Sequence, residues 1–382
     1  MGRRPEVLVI GGTGIIGQEI VRACALRGFD VTSVSRRPPT ADARDHAIGG
    51  RITHLSADLS ASRDLAALLD GRRFDAAVDL LSFTPGQLGA RVNQLRPFVT
   101  QYLFVSSATV FDAPDVGGTL SEDSRRIELG WSYATQKIKC ELRFRELLAP
   151  SDTAYTIVRP YITYSPKRLP FGYWESDVML PRLRAGATLP FPRELDGVRT
   201  SLSDARDVGR AIACLVGNDA ARDNDVNIAS DHAIRWNEVF DVLMEASHSE
   251  SKLVPVDIAQ VLQDFPEMNG KTQDRRMTRA FDATKLQAIV PGFEFRHRFS
   301  VEDAELMFGK MRASQRLLTV QGRLDRLIMG AGGASSVVSM RPGGLNMDSL
   351  RYHVGRHRAL WWLGNAIRSR ATGGRARDYG VA

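Results

Sequence analysis

Residues 6–17 read Glu-Val-Leu-Val-Ile-Gly-Gly-Thr-Gly-Ile-Ile-Gly. Residues 7–10 are apolar and mostly β-branched, which is typical of a buried parallel strand. Glycines follow at Gly11, Gly14 and Gly17, and apolar residues then recur with helical spacing. A strand that turns through glycines into a helix brings backbone N–H groups and a helix N-terminus to one point, which attracts a diphosphate. The stretch predicts a nucleotide site, with a purely structural glycine turn as the alternative.

Short apolar runs alternate with helical patterns through the first half of the chain. The predicted strands are 7–10, 30–34, 52–55, 76–81, 102–106 and 154–158, and the predicted helices are 65–69, 86–95, 132–148, 204–216 and 237–246. This alternation predicts right-handed βαβ units and an α/β, Rossmann-type, doubly wound parallel sheet. Ligands bind at the carboxyl ends of the strands in such a sheet.

The composition is that of an ordinary globular protein, but its charge is unevenly placed. The chain has 382 residues, 43% hydrophobic and 25% charged, with a net charge of +7. Residues 311–382 contain twelve arginines, no lysine and three aspartates, so they carry +9 and residues 1–310 carry −2. The basic charge therefore belongs to an appendage, and we do not expect nucleic acid as a partner of the main fold.

The three cysteines lie far apart, at Cys24, Cys140 and Cys214, with no metal-binding pattern around them. We expect reduced thiols, no metal and a cytoplasmic protein. The first predicted strand begins within a few residues of Met1, so we expect no signal peptide, and no apolar run is long enough for a membrane span.

Two further motifs carry candidate chemistry. Tyr133 and Lys137 are four residues apart on a predicted helix and therefore share one face. An ammonium group beside a phenol favours the phenolate, which suits proton transfer to or from an alcohol or carbonyl oxygen. The strand at 102–106 ends in Ser106 and Ser107, where a hydroxyl can bind a reacting oxygen. The alternatives are a chance helical pair and a strand-end turn that uses serines for local bonding.

The glycine turn, the Ser-Ser-Ala-Thr-Val-Phe segment (106–111) and Tyr133-x-x-x-Lys137 occur in the order and spacing of the short-chain dehydrogenase/reductases. The chain resembles the extended (atypical) branch, the NAD-dependent epimerase/dehydratase family, over about residues 5 to 308. The resemblance implies a dinucleotide-binding core at 1–165, a substrate-binding region at 166–310 interleaved with that core, and a basic extension at 311–382 that it does not explain.

The resemblance also implies roles for individual residues. Tyr133 would transfer the proton, Lys137 would bind the nicotinamide ribose, and Ser107, with Ser106 as the fallback, would supply the catalytic hydroxyl. The expected cofactor contacts are Gly11, Thr13, Gly14, Ile15, Ile16, Gly17, Arg36, Arg37, Asp58, Leu59, Leu81, Ser106, Tyr133 and Lys137. The expected substrate contacts are Ser107, Thr109, Tyr161 and Arg199, of which Arg199 is equally well explained as a solvated charge.

One departure from the family pattern concerns the cofactor. NAD enzymes usually carry a carboxylate after the second strand to bind the ribose 2′-hydroxyl, whereas Ser35-Arg36-Arg37 occupies this position. Arginine can hold a 2′-phosphate that a carboxylate would repel. We therefore expect NADP, with NAD as the alternative, and Arg36 as the first contact.

A second departure concerns the substrate. Ile162 stands where nucleotide-sugar enzymes often have asparagine, which weakens the case for a nucleotide-diphosphate sugar. The leading hypothesis is an NAD(P)-dependent epimerase/dehydratase-type enzyme that oxidises, and re-reduces, a hydroxyl carbon of a sugar or nucleotide-sugar-like substrate. The alternatives are an NADPH-dependent ketoreductase and a non-catalytic RNA-binding member of the same fold.

The C-terminal extension offers few signals. Residues 330–346 read as a flexible linker. In the segment 350–370, Leu350, Val354, Trp361 and Ile367 are placed to share an apolar helix face. Such a helix would dock on the body, form a homodimer contact, or bind an acidic surface.

Overall fold

A computed structural model describes residues 3–38, 48–59, 65–112, 118–128, 130–310, 318–333 and 347–357. The chain divides into two compact units. Unit 1 comprises the described residues up to Ser165, together with Ser201–Ala233 and Arg279–Arg298. Unit 2 comprises Pro166–Thr200, Ile234–Thr278 and the described residues from Phe299 onward.

The secondary structure alternates strands and helices in the first half of the chain. The strands are β1 (Glu6–Ile10), β2 (Asp30–Ser35), β3 (Ile52–Ser56), β4 (Phe74–Asp79), β5 (Val99–Val105), β6 (Ala154–Pro160), β7 (Thr163–Tyr164), β8 (Pro170–Phe171), β9 (Trp174–Glu175), β10 (Leu189–Pro192), β11 (Arg199–Ser201), β12 (Ser203–Asp204), β13 (Asn224–Ile228), β14 (Ala233–Arg235) and β15 (Leu253–Val256). The helices are α1 (Ile15–Leu26), α2 (Leu65–Leu68), α3 (Pro85–Leu95), α4 (Ser132–Leu148), α5 (Ser176–Arg184), α6 (Ala205–Leu215), α7 (Trp236–Ser247), α8 (Ile258–Asp264), α9 (Asn269–Arg275), α10 (Thr284–Ile289), α11 (Val301–Lys310), α12 (Leu318–Gly330) and α13 (Met347–Arg356).

Unit 1 is built on a seven-stranded sheet in the order β13-β6-β5-β4-β1-β2-β3. Its neighbouring strands all pair in parallel, as β1 does with both β2 and β4. The order runs outward from β1 in both directions, which is the doubly wound Rossmann arrangement. The predicted fold class is therefore confirmed. In sheets of this kind ligands bind at the carboxyl ends of the strands where the order reverses, which here are β1 and β4.

Alternate residues of β1 point into two separate cores. Val7 and Val9 pack with α1 and α6 on one face of the sheet. Leu8 and Ile10 pack with α3 and α4 on the other face. Because both faces are covered, residues 7–10 of β1 are all apolar and buried, and the glycine turn follows at the end of the strand.

The observed sheet differs from the predicted one at one strand end and by one additional strand. The strand predicted at 76–81 lies at Phe74–Asp79, because Asp79 turns its carboxylate to the backbone of the next residues and ends the strand. The seventh strand, Asn224–Ile228, was not predicted. It is an edge strand in which only Val226, Asn227 and Ile228 are buried, so it lacks the continuous apolar run of the inner strands.

In unit 2, the described part of the C-terminal extension forms two helices that pack on each other and on the rest of the unit. A Cβ on Gly322 of α12 would lie 2.1 Å from the Tyr352 carbonyl oxygen of α13, so the two backbones are close. Arg182 of α5 pairs with Asp325 of α12 at 2.7 Å. Within unit 2, α12 therefore packs on α5, and α13 packs on α12.

The predicted apolar face of the extension is wrong within α13. Leu350 is exposed, whereas Ser349, Tyr352 and Gly355 are buried, because close packing against α12 selects small residues and one ring. Trp361 and Ile367 lie outside the described residues, as do residues 334–346 of the predicted linker. In the part of the chain that the structure describes, no helix combines the length and apolar character needed to cross a membrane.

Candidate active site

The glycine turn in unit 1 is packed backbone against backbone. Gly11 has a φ of +92°, which favours glycine, and its N–H donates to the Val34 carbonyl at 2.8 Å. A Cβ on Gly17 would lie 2.1 Å from the Gly11 carbonyl oxygen, and one on Gly12 would lie 2.3 Å from Ser33 Oγ. Gly12 thus lies directly against the side chains of β2 and α1. The sequence shows the Gly11-Gly12 pair, but the glycine spacing alone does not indicate this contact.

This turn fits a dinucleotide diphosphate. Gly14 is the N-cap of α1 and provides no side chain to cap the helix. The N-terminus of this twelve-residue helix therefore keeps backbone donors and a positive dipole end for an anion. Thr13, Ile15 and Ile16, all half-buried, line the same first turn.

The residues expected near the adenosine end follow β2 and β3. Ser35 is buried, and its Oγ accepts a hydrogen bond from the Thr13 N–H at 3.2 Å. Arg36 and Arg37 come directly after it and are exposed. Asp58 is exposed, and Leu59 packs at the margin of the core on the α3–α4 face. A neutral serine and two accessible cations thus follow β2.

Lys137 lies at the carboxyl ends of β4 and β5. Its Nζ donates to the Ser82 carbonyl at 3.0 Å and to the Val105 carbonyl at 2.8 Å. It also lies 4.8 Å from the ring centroid of Phe104 and 5.9 Å from that of Tyr133. Burial lowers the pKa of Lys137 to about 8, against the opposing effect of nearby acidic groups.

Tyr133 and Ser107 stand on neighbouring elements. Tyr133 is half-buried in the first turn of α4, with its ring 5.2 Å from that of Trp131. Ser107 caps the short turn Ala108–Val110, which packs against α4. Ser107 Oγ accepts from the Thr109 hydroxyl at 3.0 Å and from the Thr109 N–H at 3.4 Å. With two bonds accepted, its own proton is left to donate to a third oxygen.

Ser106 is held in a buried ionic cluster. Its hydroxyl donates to Glu141 Oε1 at 2.6 Å. Glu141 also receives two bonds from Arg159, at 2.8 and 2.9 Å, and Arg159 pairs with Asp225 at 2.5 Å. Glu141 lies on α4, one turn after Lys137, so this cluster joins the helix to Ser106 after β5, to Arg159 near the end of β6 and to Asp225 near the start of β13. Its role was not visible in the sequence, where Glu141 is one of many helical carboxylates.

The remaining predicted residues lie in different places. Leu81 contacts the glycine turn, since a Cβ on Gly11 would lie 3.0 Å from Leu81 Cγ. Tyr161 is buried in unit 1, its ring 5.2 Å from that of Phe281. Arg199 is exposed at the start of β11 and belongs to unit 2. Within unit 1, the structure therefore brings the glycine turn, Leu81, Lys137 and the Ser107 turn to one edge of the sheet.

The model of the family described as "NAD dependent epimerase/dehydratase family" matches residues 7–229, more than half of the chain. The chain belongs to the NAD-dependent epimerase/dehydratase family. It is accordingly an NAD(P)-dependent enzyme of the short-chain dehydrogenase/reductase type, as the resemblance predicted.

Two curated proteins are similar to this family member. A 2′-dehydrokanamycin reductase from Streptomyces kanamyceticus is 25% identical over 293 residues, which cover 76% of this chain and 80% of that protein. A 3-diazoavenalumate denitrifying reductase from a Streptomyces species is 28% identical over 226 residues, which cover 55% of this chain and 72% of that reductase.

A solved structure shares the fold. The UDP-glucose-4-epimerase of Stenotrophomonas maltophila, crystallised with NAD and formylated UDP-arabinopyranose, aligns with a TM-score of 0.65 at 18% identity. The alignment covers 80% of this chain and 98% of the epimerase.

Proposed function

We propose that this protein is an NADP-dependent reductase that converts a ketone on a sugar-type substrate to an alcohol. The observation that carries the proposal is the position of Lys137, whose Nζ donates to the Ser82 and Val105 carbonyls just after β4 and at the end of β5. Leu81, which precedes Ser82, contacts the glycine turn. A buried ammonium at this edge, with a phenol one helical turn away, is suited to a ribose hydroxyl and a reacting oxygen.

The proposed mechanism assigns one step to each side chain. When bound, NADPH supplies a hydride to the carbonyl carbon of the substrate. Tyr133 donates its phenolic proton to the carbonyl oxygen, so that the product is a neutral alcohol. Ser107 donates its hydroxyl proton in a hydrogen bond to the same oxygen and stabilises its developing charge, since Thr109 already donates to Ser107 Oγ. Lys137 orients the ribose and stabilises the phenolate left on Tyr133, which solvent then reprotonates.

The preference for NADP is supported by the residues after β2. Ser35 replaces the usual carboxylate and turns its Oγ to the glycine loop, so it does not repel a 2′-phosphate. Arg36 and Arg37 are exposed and can pair with that phosphate. Asp58 and Leu59 stay predictions for the adenine.

The net reductive direction is supported by the two curated relatives, both of which are reductases by name. Ile162 in place of the expected asparagine also argues against a nucleotide-diphosphate sugar. Epimerisation is the second candidate, because the family includes epimerases. Thr109, Tyr161 and Arg199 stay predictions for the substrate contacts.

The test compares the two reactions in one assay format. For the reductase, NADPH consumption is measured with a panel of keto-sugars and keto-aminoglycosides. For the epimerase, UDP-glucose is incubated with NADP⁺, and both the epimerised product and the net change in cofactor are measured. For a reductase we expect one NADPH consumed per alcohol formed. For an epimerase we expect product without net cofactor consumption, which would overturn the reductase proposal.

Tyr133→Phe tests the proton donor. We expect turnover to fall by roughly 10²–10⁴-fold, the usual contribution of a general acid, while NADPH affinity stays unchanged. Tyr155→Phe is the matched control, because its phenolic oxygen accepts a bond from Arg145 away from the proposed site. Wild-type turnover in Tyr133→Phe would refute the assignment.

A further inference from the structure

A buried carboxylate closes the turn between β4 and α3. Asp79, the last residue of β4, is completely buried. Its Oδ1 accepts from the Leu81 N–H at 2.9 Å and from Arg91 at 2.8 Å. Its Oδ2 accepts from the Ser82 hydroxyl at 2.6 Å and from the Tyr102 hydroxyl at 3.0 Å. One carboxylate thus fixes the backbone and side chains of the residues that follow it.

The two ends of this turn contact the two halves of the proposed cofactor site. Leu81 lies over Gly11, since a Cβ there would be 3.0 Å from Leu81 Cγ. Ser82 presents its carbonyl oxygen to Lys137 Nζ at 3.0 Å. Arg91 also donates to the Ser82 hydroxyl at 2.8 Å, so Ser82 is held from both sides.

Stability alone does not account for a charged pair at this position. Burying Asp79 and Arg91 removes two charges from water, and their attraction does no more than offset that cost in many proteins. An apolar side chain would continue the core of β4. The carboxylate fixes the conformation of the turn, because it accepts hydrogen bonds from four different residues at once.

We propose that Asp79 is the positioning residue of the cofactor site, whose buried carboxylate shapes the 79–82 turn so that Leu81 covers the glycine loop and Ser82 holds Lys137. This inference rests on the proposed function, because it assigns Lys137 to that site. Arg91 and Tyr102 support Asp79 from α3 and β5.

Asp79 also acts on Lys137 through its charge. Among the described residues, the ionisable groups that act on Lys137 are Asp79 from β4, Arg91 from α3 and, on its own helix α4, Tyr133, Cys140 and Glu141. Burial lowers the pKa of Lys137, and the negative charge of Asp79 opposes that effect. Without this charge, Arg91 still disfavours the ammonium, so the pKa of Lys137 must fall further below its ordinary value.

The experiment measures Lys137 directly and needs no substrate. Lysine carrying ¹³C at Cε is incorporated, the Lys137 signal is assigned by its loss in Lys137→Arg, and its titration is followed by NMR. In Asp79→Asn we expect the titration midpoint to move to lower pH and the Kd for NADPH to rise several-fold. Asp75→Asn is the control on the same strand, because Asp75 bonds the Glu6 N–H at the opposite end.

Tyr102→Phe covers the case in which Asp79→Asn does not fold, because it removes one hydrogen bond and leaves the ion pair intact. We expect weaker NADPH binding in this variant than in Tyr155→Phe. The proposal is overturned if the folded variants match their controls in both the Lys137 titration and NADPH affinity. If the shifts occur but no hydride transfer is found with any substrate, the proposed function fails while the role of Asp79 stands.

Discussion

At the scale of single residues, the side chain after Ser35 has the largest expected effect on the choice between NADP and NAD. Arg36 is exposed, and its carbonyl oxygen accepts a hydrogen bond from the Ser56 hydroxyl, which alanine at this position would retain, so we expect its replacement to leave the fold intact. We expect Arg36→Ala to weaken NADPH binding roughly tenfold or more, the effect of one charge-assisted hydrogen bond, and to leave NADH binding unchanged.

Fluorescence titration with each cofactor measures this selectivity. Arg222→Ala is the control, since Arg222 is an exposed arginine paired with Asp219. Equal losses for NADPH and NADH would contradict a 2′-phosphate contact. Ser35→Asp should act in the same direction, because it restores a carboxylate that repels the phosphate.

The pKa of Lys137 predicts how the proposed reaction depends on pH. Burial lowers its pKa to about 8, so the ammonium is present at neutral pH and is lost as the pH rises through that value. We expect kcat/KM for NADPH-dependent turnover to decline on the alkaline side of about 8. The measurement is a pH profile of kcat/KM. The alkaline decline, or alkaline limb, should appear in the wild type and in the control Lys139→Met, which changes an exposed lysine of the same helix. The same limb in Lys137→Met would assign it to another group.

The candidate site was predictable where a motif has its own spacing. The Tyr133–Lys137 interval and the glycine intervals are local, so the sequence alone placed them on one helix face and one turn. The roles of Ser106 and Asp79 were not predictable in this way. Each depends on partners that are distant in sequence, Glu141 for one and Arg91 with Tyr102 for the other.

At the scale of elements, the β1–α1 turn tolerates no side chain at its tightest points. A Cβ on Gly17 would lie 2.1 Å from the Gly11 carbonyl oxygen, and backbone cannot rotate away as a side chain would. We expect NADPH to raise the melting temperature of the wild type, and we expect Gly17→Ala to lower the melting temperature and to abolish that rise. Thermal unfolding with and without NADPH measures both effects.

Gly86→Ala provides the matched control for this turn. Gly86 lies in α3, and a Cβ there would meet nothing within 4 Å. Alanine should be neutral or stabilise by up to about 1 kcal/mol, because it restricts the unfolded chain and favours the helix. If Gly17→Ala kept the wild-type response to NADPH, the close packing of the turn would not matter for binding.

Elements were predictable from the sequence in proportion to their burial. The inner strands β1, β4 and β5 each contain a run of at least three consecutive buried apolar residues, which made them visible in the sequence with errors only at their ends. The edge strand Asn224–Ile228 was not predicted because it pairs with β6 on one edge and, among the described residues, has no strand on its other edge. Its first two residues are only half-buried, so polar side chains are accepted there and interrupt the apolar pattern. α13 was mispredicted for a different reason, because its buried residues are Ser349, Gly355 and one ring, Tyr352, whereas the apolar Leu350 is exposed.

At the scale of the whole molecule, the basic extension is less available for an external partner than its charge indicates. Arg323 pairs with Glu267 at 2.8 Å and Arg326 pairs with Asp264 at 3.0 Å, both within unit 2. The ring of Phe265 lies 3.9 Å from the Arg323 guanidinium. These arginines hold α12 to the residues around α8, so a part of the positive charge of the extension serves to dock it.

The central contact of this docked extension is the pair Arg182–Asp325, in which both side chains are fully buried. Tyr352 of α13 also donates to Asp325, and Gln321 accepts from Arg182 at 3.0 Å. Asp325→Asn would leave the Arg182 charge buried without its counter-ion, which costs about 3–5 kcal/mol of unfolding free energy. Asp348→Asn removes an exposed pair with Arg351 and should change it by less than about 1 kcal/mol.

Denaturant unfolding followed by tryptophan fluorescence measures the difference, since Trp174 and Trp236 are buried in unit 2. We expect the midpoint of Asp325→Asn to fall well below those of the wild type and Asp348→Asn. An unchanged midpoint would mean that α12 and α13 contribute nothing to the stability of unit 2. Because the glycine turn and Lys137 belong to unit 1, NADPH affinity below the new midpoint should stay at the wild-type value, and this result would separate a stabilising role of the extension from one in cofactor binding.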